Sequence, residues 1–123
     1  MARSWPDKFR SAFRGAWLAM CGERSFAVHL PLTAAVAIAA VYFRISLLEA
    51  CVLGLCVSLV LMAEVFNTAL EFLSREVSPE KKPGIADALD MASGAVLVAS
   101  IGAAAVGGTI FIHRLGMTLG WWM

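Results

Sequence analysis

The sequence has no large excess of basic or acidic residues, and it contains little cysteine. Its 123 residues carry a formal net charge of +1 at pH 7, and this balance argues against nucleic acid or an acidic macromolecule as a partner. The three cysteines, Cys21, Cys51 and Cys56, show neither metal-ligand spacing nor the pattern of a disulfide framework. We therefore expect them to be small buried hydrophobic residues.

Apolar residues dominate the chain instead. They make up 60% of it, and the mean hydropathy is +0.79. A soluble domain of this size cannot bury so much apolar surface, and these residues lie in long runs, so the composition indicates a single membrane domain. A membrane-spanning helix needs ~20 mostly apolar residues. We predict three such helices, over residues 26–43, 47–76 and 86–112, and the second extends beyond the membrane into the cytoplasm.

The segment 5–22 is amphipathic. At ~100° per residue its aromatic and small apolar side chains share one face, whereas Lys8, Arg10 and Arg14 lie on the other. This pattern predicts a helix that lies in the membrane interface with its basic residues toward lipid headgroups. A helix packed on another protein surface is the alternative. The segment lacks the apolar stretch of a cleavable signal peptide, so we do not expect one.

Lysine and arginine are divided unequally between the two sides of the predicted membrane domain. Eight lie in the N-terminal segment and the loop after the second span, and two lie on the opposite side. The excess predicts that the N-terminus and this loop face the cytoplasm. The eight are Arg3, Lys8, Arg10, Arg14, Arg24, Arg75, Lys81 and Lys82, and the two are Arg44 and Arg114.

Five polar residues of the second predicted span share one face of the helix. Measured around the helix axis from Glu64, Asn67 lies at ~−60°, Thr68 at ~40°, Glu71 at ~−20° and Arg75 at ~20°. Polar side chains are costly in a membrane helix, so this polar stripe is a candidate functional site. Hydrogen bonds that merely hold helices together are the structural alternative.

Three further acids lie at the same end of the predicted bundle, namely Glu23 before the first span and Asp87 and Asp90 at the start of the third. Clustered carboxylates repel one another unless a cation or shared protons compensate, and oxygen-rich clusters suit Mg²⁺ bridged to phosphates. A buried carboxylate such as Glu64 suits a general base. Asp87 and Asp90 have a simpler explanation as acids favoured at a helix start. We predict a site where a lipid hydroxyl meets a cytoplasmic nucleotide.

Small residues recur every four positions on the third predicted span, at Ala95, Ala99, Ala103 and Gly107. This spacing lets membrane helices approach closely. Three helices form a thin bundle for so polar a site, so we expect the chain to oligomerise.

These residues resemble a known family. Residues 64–71 read EVFNTALE, which is similar to the E-x-x-N-[ST]-A-[IL]-E signature of the prokaryotic diacylglycerol kinase and undecaprenol kinase family. Residues 90–97, DMASGAVL, resemble its second block, D-[MIV]-x-[SA]-[GA]-A-V-L. Residues 13–26 and the loop sequence VSPE also fit, so the resemblance covers nearly the whole chain.

The resemblance implies an all-α protein of the bacterial inner membrane, with an amphipathic interfacial helix, three spans and a homotrimeric assembly that shares active sites between subunits. It implies ATP as phosphoryl donor, Mg²⁺ as cofactor and a lipid alcohol as acceptor. By position in the motifs, Glu64 matches the general base, and Glu23 and Glu71 match the metal-binding carboxylates. Asn67 and Asp90 match polar residues of the nucleotide site.

Two positions depart from the family pattern. The family usually has Asp where this chain has Arg75, and Lys directly before the aspartate of the second block, where this chain has Leu89. Because that Lys is expected to contact the ATP phosphates, we hypothesise that Arg75, on the same stripe as Glu64 and Glu71, supplies the missing cation.

Two alternatives stay open at this stage. A diverged member of the family would keep the fold but use another donor or substrate, or lack phosphoryl transfer. A small proton-coupled transporter would have four spans and a carboxylate near the middle of the bilayer, which fits this sequence less well. No residue of the sequence can be assigned to the recognition of an acyl or an isoprenoid chain, so diacylglycerol and undecaprenol are both possible acceptors.

Overall fold

The computed structural model describes the backbone of residues 4–22, 24–80 and 82–121, with side chains described outside 22–29. Glu23 and the side chain of His29 therefore lie outside the described residues. The described chain is all-helical, as predicted. Its helices are α1 (Trp5–Gly22), α2 (Arg24–Tyr42), α3 (Leu47–Val77) and α4 (Pro83–Thr118). The last of these extends beyond both ends of the predicted 86–112 span.

Helix α3 begins with a capping box. The Ser46 hydroxyl oxygen accepts a hydrogen bond from the Glu49 backbone N–H at 3.1 Å, and the Ser46 backbone N–H donates to Glu49 Oε1 at 2.9 Å. These bonds satisfy two backbone donors that a helix start otherwise leaves unpaired. Just before the cap, Arg44 has a φ of 53°. This left-handed residue turns the chain sharply between α2 and α3.

The connection from α3 to α4 is short. Helix α3 ends at Val77, and the Ser78 N–H donates to the Ser74 carbonyl at 2.9 Å. Helix α4 then starts at Pro83, which suits the first helical turn because proline has no N–H and its φ is already helical. Two long helices joined by so few residues must run antiparallel.

Helices α3 and α4 form the main packing interface of the chain. They approach closely where Leu53 faces Gly107: a Cβ built on that glycine would lie 3.6 Å from Leu53 Cδ2. This contact sets the register of the pair. Counting equal numbers of residues along each antiparallel helix from it places Glu64 level with Val96.

An ion pair joins the same two helices at the opposite end from the α3–α4 loop. Arg114 Nε donates to Glu49 Oε1 at 3.0 Å, and Arg114 Nη2 also contacts this oxygen. One carboxylate oxygen of Glu49 thus serves both the helix cap and the helix–helix contact. Both side chains are about three-quarters buried. No role for Glu49 follows from the sequence alone, and these contacts give it a structural one.

Helices α1 and α2 both contact α3. Near the end of α1, Ala19 is buried, whereas the aromatic residues of its apolar face are exposed. Helix α2 contains Pro31 within its length. Most large apolar side chains of α3 and α4 are also exposed.

Within the described residues, α3 and α4 are the two helices that are long and apolar enough to cross a membrane. The apolar stretch of α2 is shorter, Leu30–Tyr42. A third span therefore stays a prediction.

The prediction that all three cysteines are buried is wrong for this chain. Cys21 and Cys51 are exposed, and Cys56 is only partly covered. The reason is that the side chains of a continuous apolar run lie on all sides of a helix. In so thin a bundle, only one face of each helix packs against its neighbours.

We predict that Arg114→Met lowers the thermal midpoint of the purified protein, because it leaves the Glu49 carboxylate without its partner on α4. The exposed Arg44 lies at the same end of the bundle, so Arg44→Met is the matched control. Thermal unfolding of both variants in one detergent gives the comparison. Equal midpoints for the two variants would show that the ion pair does not hold the helices together.

Candidate active site

The polar stripe of α3 lies on the face that packs inside the protein. Glu64 is 4% exposed and Thr68 is 3% exposed, and Leu53, earlier on the same helix, is 6% exposed. Leu53 lies about three turns before Glu64 and about four turns before Thr68. These three residues fall within ~60° around the helix axis. The stripe thus continues the same face of α3 that meets Gly107. Burying two polar side chains costs free energy. Polar side chains that are kept buried in a membrane helix therefore indicate a functional role.

Asn67 and Glu71 are linked within the stripe. Asn67 Nδ2 donates to Glu71 Oε1 at 3.0 Å, one helical turn along α3. The Ser74 hydroxyl donates to the Glu71 carbonyl at 2.8 Å. The bond from Asn67 holds the Glu71 carboxylate beside Asn67, whereas the Ser74 bond reaches only the backbone of Glu71. The pair therefore forms a fixed group of oxygen and nitrogen atoms one to two turns from Glu64.

The other amide atom of Asn67 has no partner in the described part of the protein. Asn67 Oδ1 is buried and accepts no hydrogen bond. A buried unsatisfied acceptor costs ~1–3 kcal/mol, so such atoms in a native protein call for an explanation. A hydrogen-bond donor of a bound ligand, or a bound cation, would give this oxygen the partner that it lacks here.

The described residues supply some of the ligands that a magnesium ion needs. Glu71 and Asn67 Oδ1 supply oxygen ligands, which Mg²⁺ prefers, and one or two carboxylates with substrate phosphates are enough for its shell. Among the described residues, however, no three His, Cys, Asp or Glu side chains come together as a metal-binding group. Glu23, the other predicted ligand, lies outside the described residues. The described residues thus supply part of a Mg²⁺ coordination shell, and the phosphates of a bound nucleotide would complete it.

The acids of α4 do not join the buried stripe within the chain. Asp87 and Asp90 are both exposed. Leu89, between them, is partly buried and lines a groove of about 220 Å³ between the end of α3 and the start of α4. The register of the helices places Asp90 near the level of Glu71 but to one side of the contact face. It is Leu89 that faces α3 at this level.

Arg75 takes a direction that the helical spacing does not predict. Its guanidinium lies over the Phe72 ring, 4.7 Å from the ring centroid, and the residue is exposed. Around the helix axis, Phe72 lies ~60° to one side of Arg75 and Asn67 ~80° to the other. The arginine therefore leans away from Asn67 and Glu71, held by a cation–π contact.

Phe72 is the residue that the sequence analysis did not assign to the site, and Thr68 was placed on the polar stripe without a role of its own. Thr68 is as deeply buried as Glu64, one turn away on the same face, and its place in the motif was the available signal. Phe72 gave no signal, because its contact depends on the arginine side-chain conformation.

We predict that Asn67→Ala changes thermal stability little but lowers catalytic activity strongly. The substitution removes a hydrogen bond to a charged group, worth ~1.5–3 kcal/mol, together with an unpaired buried oxygen that costs ~1–3 kcal/mol, so the two effects offset. Ser74→Ala, which removes a hydrogen bond to the neighbouring Glu71 carbonyl, is the matched control. A large loss of stability with unchanged activity would mean that Asn67 only supports the fold.

Comparison with known proteins shows the family to which the chain is similar. Residues 10–111 match the family model for prokaryotic diacylglycerol kinase. A relative named diacylglycerol kinase, from Synechocystis sp., is 35% identical over 108 residues, which cover 87% of this chain and 62% of the relative. The chain thus spans less than two thirds of the length of that relative. No solved structure matches the chain significantly.

The family match covers the buried stripe and both sequence motifs. Together with two apolar helices long enough to cross a membrane, it identifies the chain as an integral membrane protein of the prokaryotic diacylglycerol kinase family.

Proposed function

We propose that this protein is a lipid kinase, which transfers the γ-phosphoryl group of ATP to the hydroxyl of a membrane lipid alcohol, diacylglycerol or undecaprenol. One observation carries the proposal. The buried Glu64 and the linked Asn67–Glu71 pair lie on one face of α3, and we propose that a lipid hydroxyl and a nucleotide meet at this face.

Glu64 acts as the general base in this proposal. Glu64 is 4% exposed, so bulk water has little access to its carboxylate. A lipid hydroxyl approaching from the bilayer donates that proton as its oxygen attacks the γ-phosphorus in line with the leaving ADP oxygen. A positioned base contributes ~10²–10⁴-fold to such a step, and positioning of the two substrates supplies much of the remainder.

Asn67 and Glu71 bind the donor side of the reaction. Glu71, with Glu23, would hold Mg²⁺, and the ion, when bound, would neutralise charge on the phosphate oxygens. The Asn67 amide orients Glu71 through its Nδ2–H. Its unpaired Oδ1 is available to the ligand. Asp90 contributes to the nucleotide site from α4.

Arg75 is the proposed phosphate-binding cation that replaces the family lysine at Leu89. In the structure its guanidinium rests on Phe72. An exposed cation–π contact is worth ~0.5–1 kcal/mol, and a charge-assisted hydrogen bond to a phosphate is stronger. Bound nucleotide would therefore draw the guanidinium across the stripe toward Glu71.

The proposed assembly is a homotrimer in the bacterial inner membrane, with the N-terminus and the α3–α4 loop in the cytoplasm. The exposed apolar side chains of α3 and α4 support contact with lipid and with other copies of the chain. The exposed aromatic face of α1, with Trp5 at 71% and Trp17 at 69%, supports a helix that lies in the membrane interface. If active sites are shared between subunits, the exposed Asp90 of one subunit would contact the nucleotide at the buried stripe of another.

A diverged member without kinase activity is the second candidate. It is favoured by the same two departures: Leu89 is packed in an apolar groove, and Arg75 leans away from the stripe. A protein with no cation near Glu71 would bind a nucleotide weakly.

We predict that purified protein transfers label from ATP to diacylglycerol or undecaprenol in mixed micelles with Mg²⁺, and that Glu64→Gln lowers this rate ~10²-fold or more. Glu76→Gln removes a carboxylate from the exposed end of the same helix and is the matched control. Labelled lipid from the wild type and Glu76→Gln alone would establish the kinase. No label from a folded wild type, with either lipid, would favour the second candidate.

We also predict that Arg75→Ala lowers kcat/KM for ATP about ten- to a hundredfold, since a lost charge-assisted bond is worth ~1.5–3 kcal/mol. Arg75→Lys should lose less, and Leu89→Lys should restore activity to the alanine variant. Lys82→Ala removes an exposed cation from the adjoining loop and serves as the comparison. Unchanged KM and kcat in Arg75→Ala would contradict the role of this arginine.

A further inference from the structure

Thr68 is the most deeply buried residue of the polar stripe, yet its hydroxyl has no hydrogen-bond partner in the described part of the protein. The residue is 3% exposed. Burying a polar side chain costs free energy unless a hydrogen bond compensates for it, and a buried polar group without a partner in a native structure calls for an explanation. The fold by itself does not supply one for this hydroxyl.

The other hydroxyl groups of the same two helices behave differently. Ser58 on α3 and Thr109 and Thr118 on α4 each donate to the backbone carbonyl four residues earlier, at 2.8, 2.7 and 2.9 Å. Such a bond is the usual local partner of a hydroxyl group within a helix. These three residues are exposed. The buried Thr68 is thus the one of the four whose hydroxyl keeps its donor and acceptor capacity for another group.

Thr68 lies between the two carboxylates of the candidate active site. Along the axis of α3 it comes ~6 Å after Glu64 and ~4.5 Å before Glu71. Around the axis it lies within ~60° of both. In the proposed reaction the lipid hydroxyl lies at Glu64, and the nucleotide phosphates lie at Glu71. The phosphoryl group that passes between them is therefore level with Thr68.

We propose that the Thr68 hydroxyl donates a hydrogen bond to a non-bridging oxygen of the γ-phosphoryl group during its transfer, and that Thr68 is therefore a catalytic residue. The inference rests on the proposed lipid kinase function and deepens it. It adds to the base and the donor-side residues a group that contacts the transferred phosphoryl itself.

The hydrogen bond to Thr68 does not change the balance of the reaction. The lipid oxygen forms its bond to the γ-phosphorus as the bond from that phosphorus to the leaving ADP oxygen breaks, and the lipid hydroxyl proton moves to Glu64. Thr68 keeps its own proton throughout. Because bulk water has little access to this face, a hydrogen bond to a charged oxygen stabilises the transition state more than it would in water. No internal bond of the Thr68 hydroxyl has to break first.

Three substitutions separate the hydroxyl from the shape of the side chain. Thr68→Val replaces the hydroxyl by a methyl group of similar size, and Thr68→Ser keeps the hydroxyl. Since the hydroxyl has no partner within the described protein, its removal should not lower the thermal midpoint. Thr109→Val makes the same change at an exposed position on α4 and is the matched control.

The experiment measures kcat, KM for ATP and KM for the lipid, together with the thermal midpoint, in the wild type and the three variants. Thr68→Val should lower kcat about 10- to 100-fold, as expected for the loss of a hydrogen bond to a charged group. Both KM values and the midpoint should stay close to those of the wild type. Thr68→Ser should keep most of the kcat, and Thr109→Val should keep all of it.

Three outcomes overturn the proposal. One is an unchanged kcat in Thr68→Val. Another is an equal loss of kcat in Thr68→Val and Thr68→Ser, which would show that the shape of the side chain matters and not its hydroxyl. The third is a lower thermal midpoint in Thr68→Val, which would show that the hydroxyl supports the fold. An inactive wild type would instead refute the proposed function, so the two failures are distinguishable.

Discussion

The antiparallel pairing of α3 and α4 is the constraint on which the rest of the structure depends. In a bilayer, helix association has little hydrophobic driving force and relies on close packing and polar contacts. Here Gly107 permits the close approach of Leu53, and the Glu49–Arg114 ion pair joins the helices at one end. These contacts fix the register, and the register decides which residues of α3 are buried. Glu64 and Thr68 are buried for that reason.

The sequence predicted what helical spacing alone determines. A period of ~100° per residue placed Glu64, Asn67, Thr68 and Glu71 on one face, and the structure buries Glu64 and Thr68 and joins Asn67 to Glu71. The motif at residues 64–71 predicted the family that the comparison identifies. The spacing predictions succeed because the geometry of an α-helix fixes the direction in which each side chain leaves the backbone, whatever the composition.

Features that depend on contacts between helices, or on long flexible side chains, could not be predicted in this way. Glu49 and Arg114 are 65 residues apart in the chain, and only the antiparallel register brings them together. Arg75 lies on the stripe by spacing, yet its side chain turns to Phe72, because spacing positions a Cα and not a guanidinium. Cys51 lies in an apolar run but is exposed, since hydropathy alone does not tell which side of a helix faces its neighbours.

A cross-linking experiment tests the central role of the α3–α4 register most directly. With the native cysteines replaced, Leu53→Cys is combined with Gly107→Cys in one protein and with Ile101→Cys, an exposed position on α4, in a second. A short bifunctional thiol reagent should join residues 53 and 107 within one chain and leave the proposed kinase activity intact, while residues 53 and 101 stay unlinked. Efficient linkage of 53 to 101 without linkage of 53 to 107 would contradict the register, and with it the burial of Glu64 on the packed face.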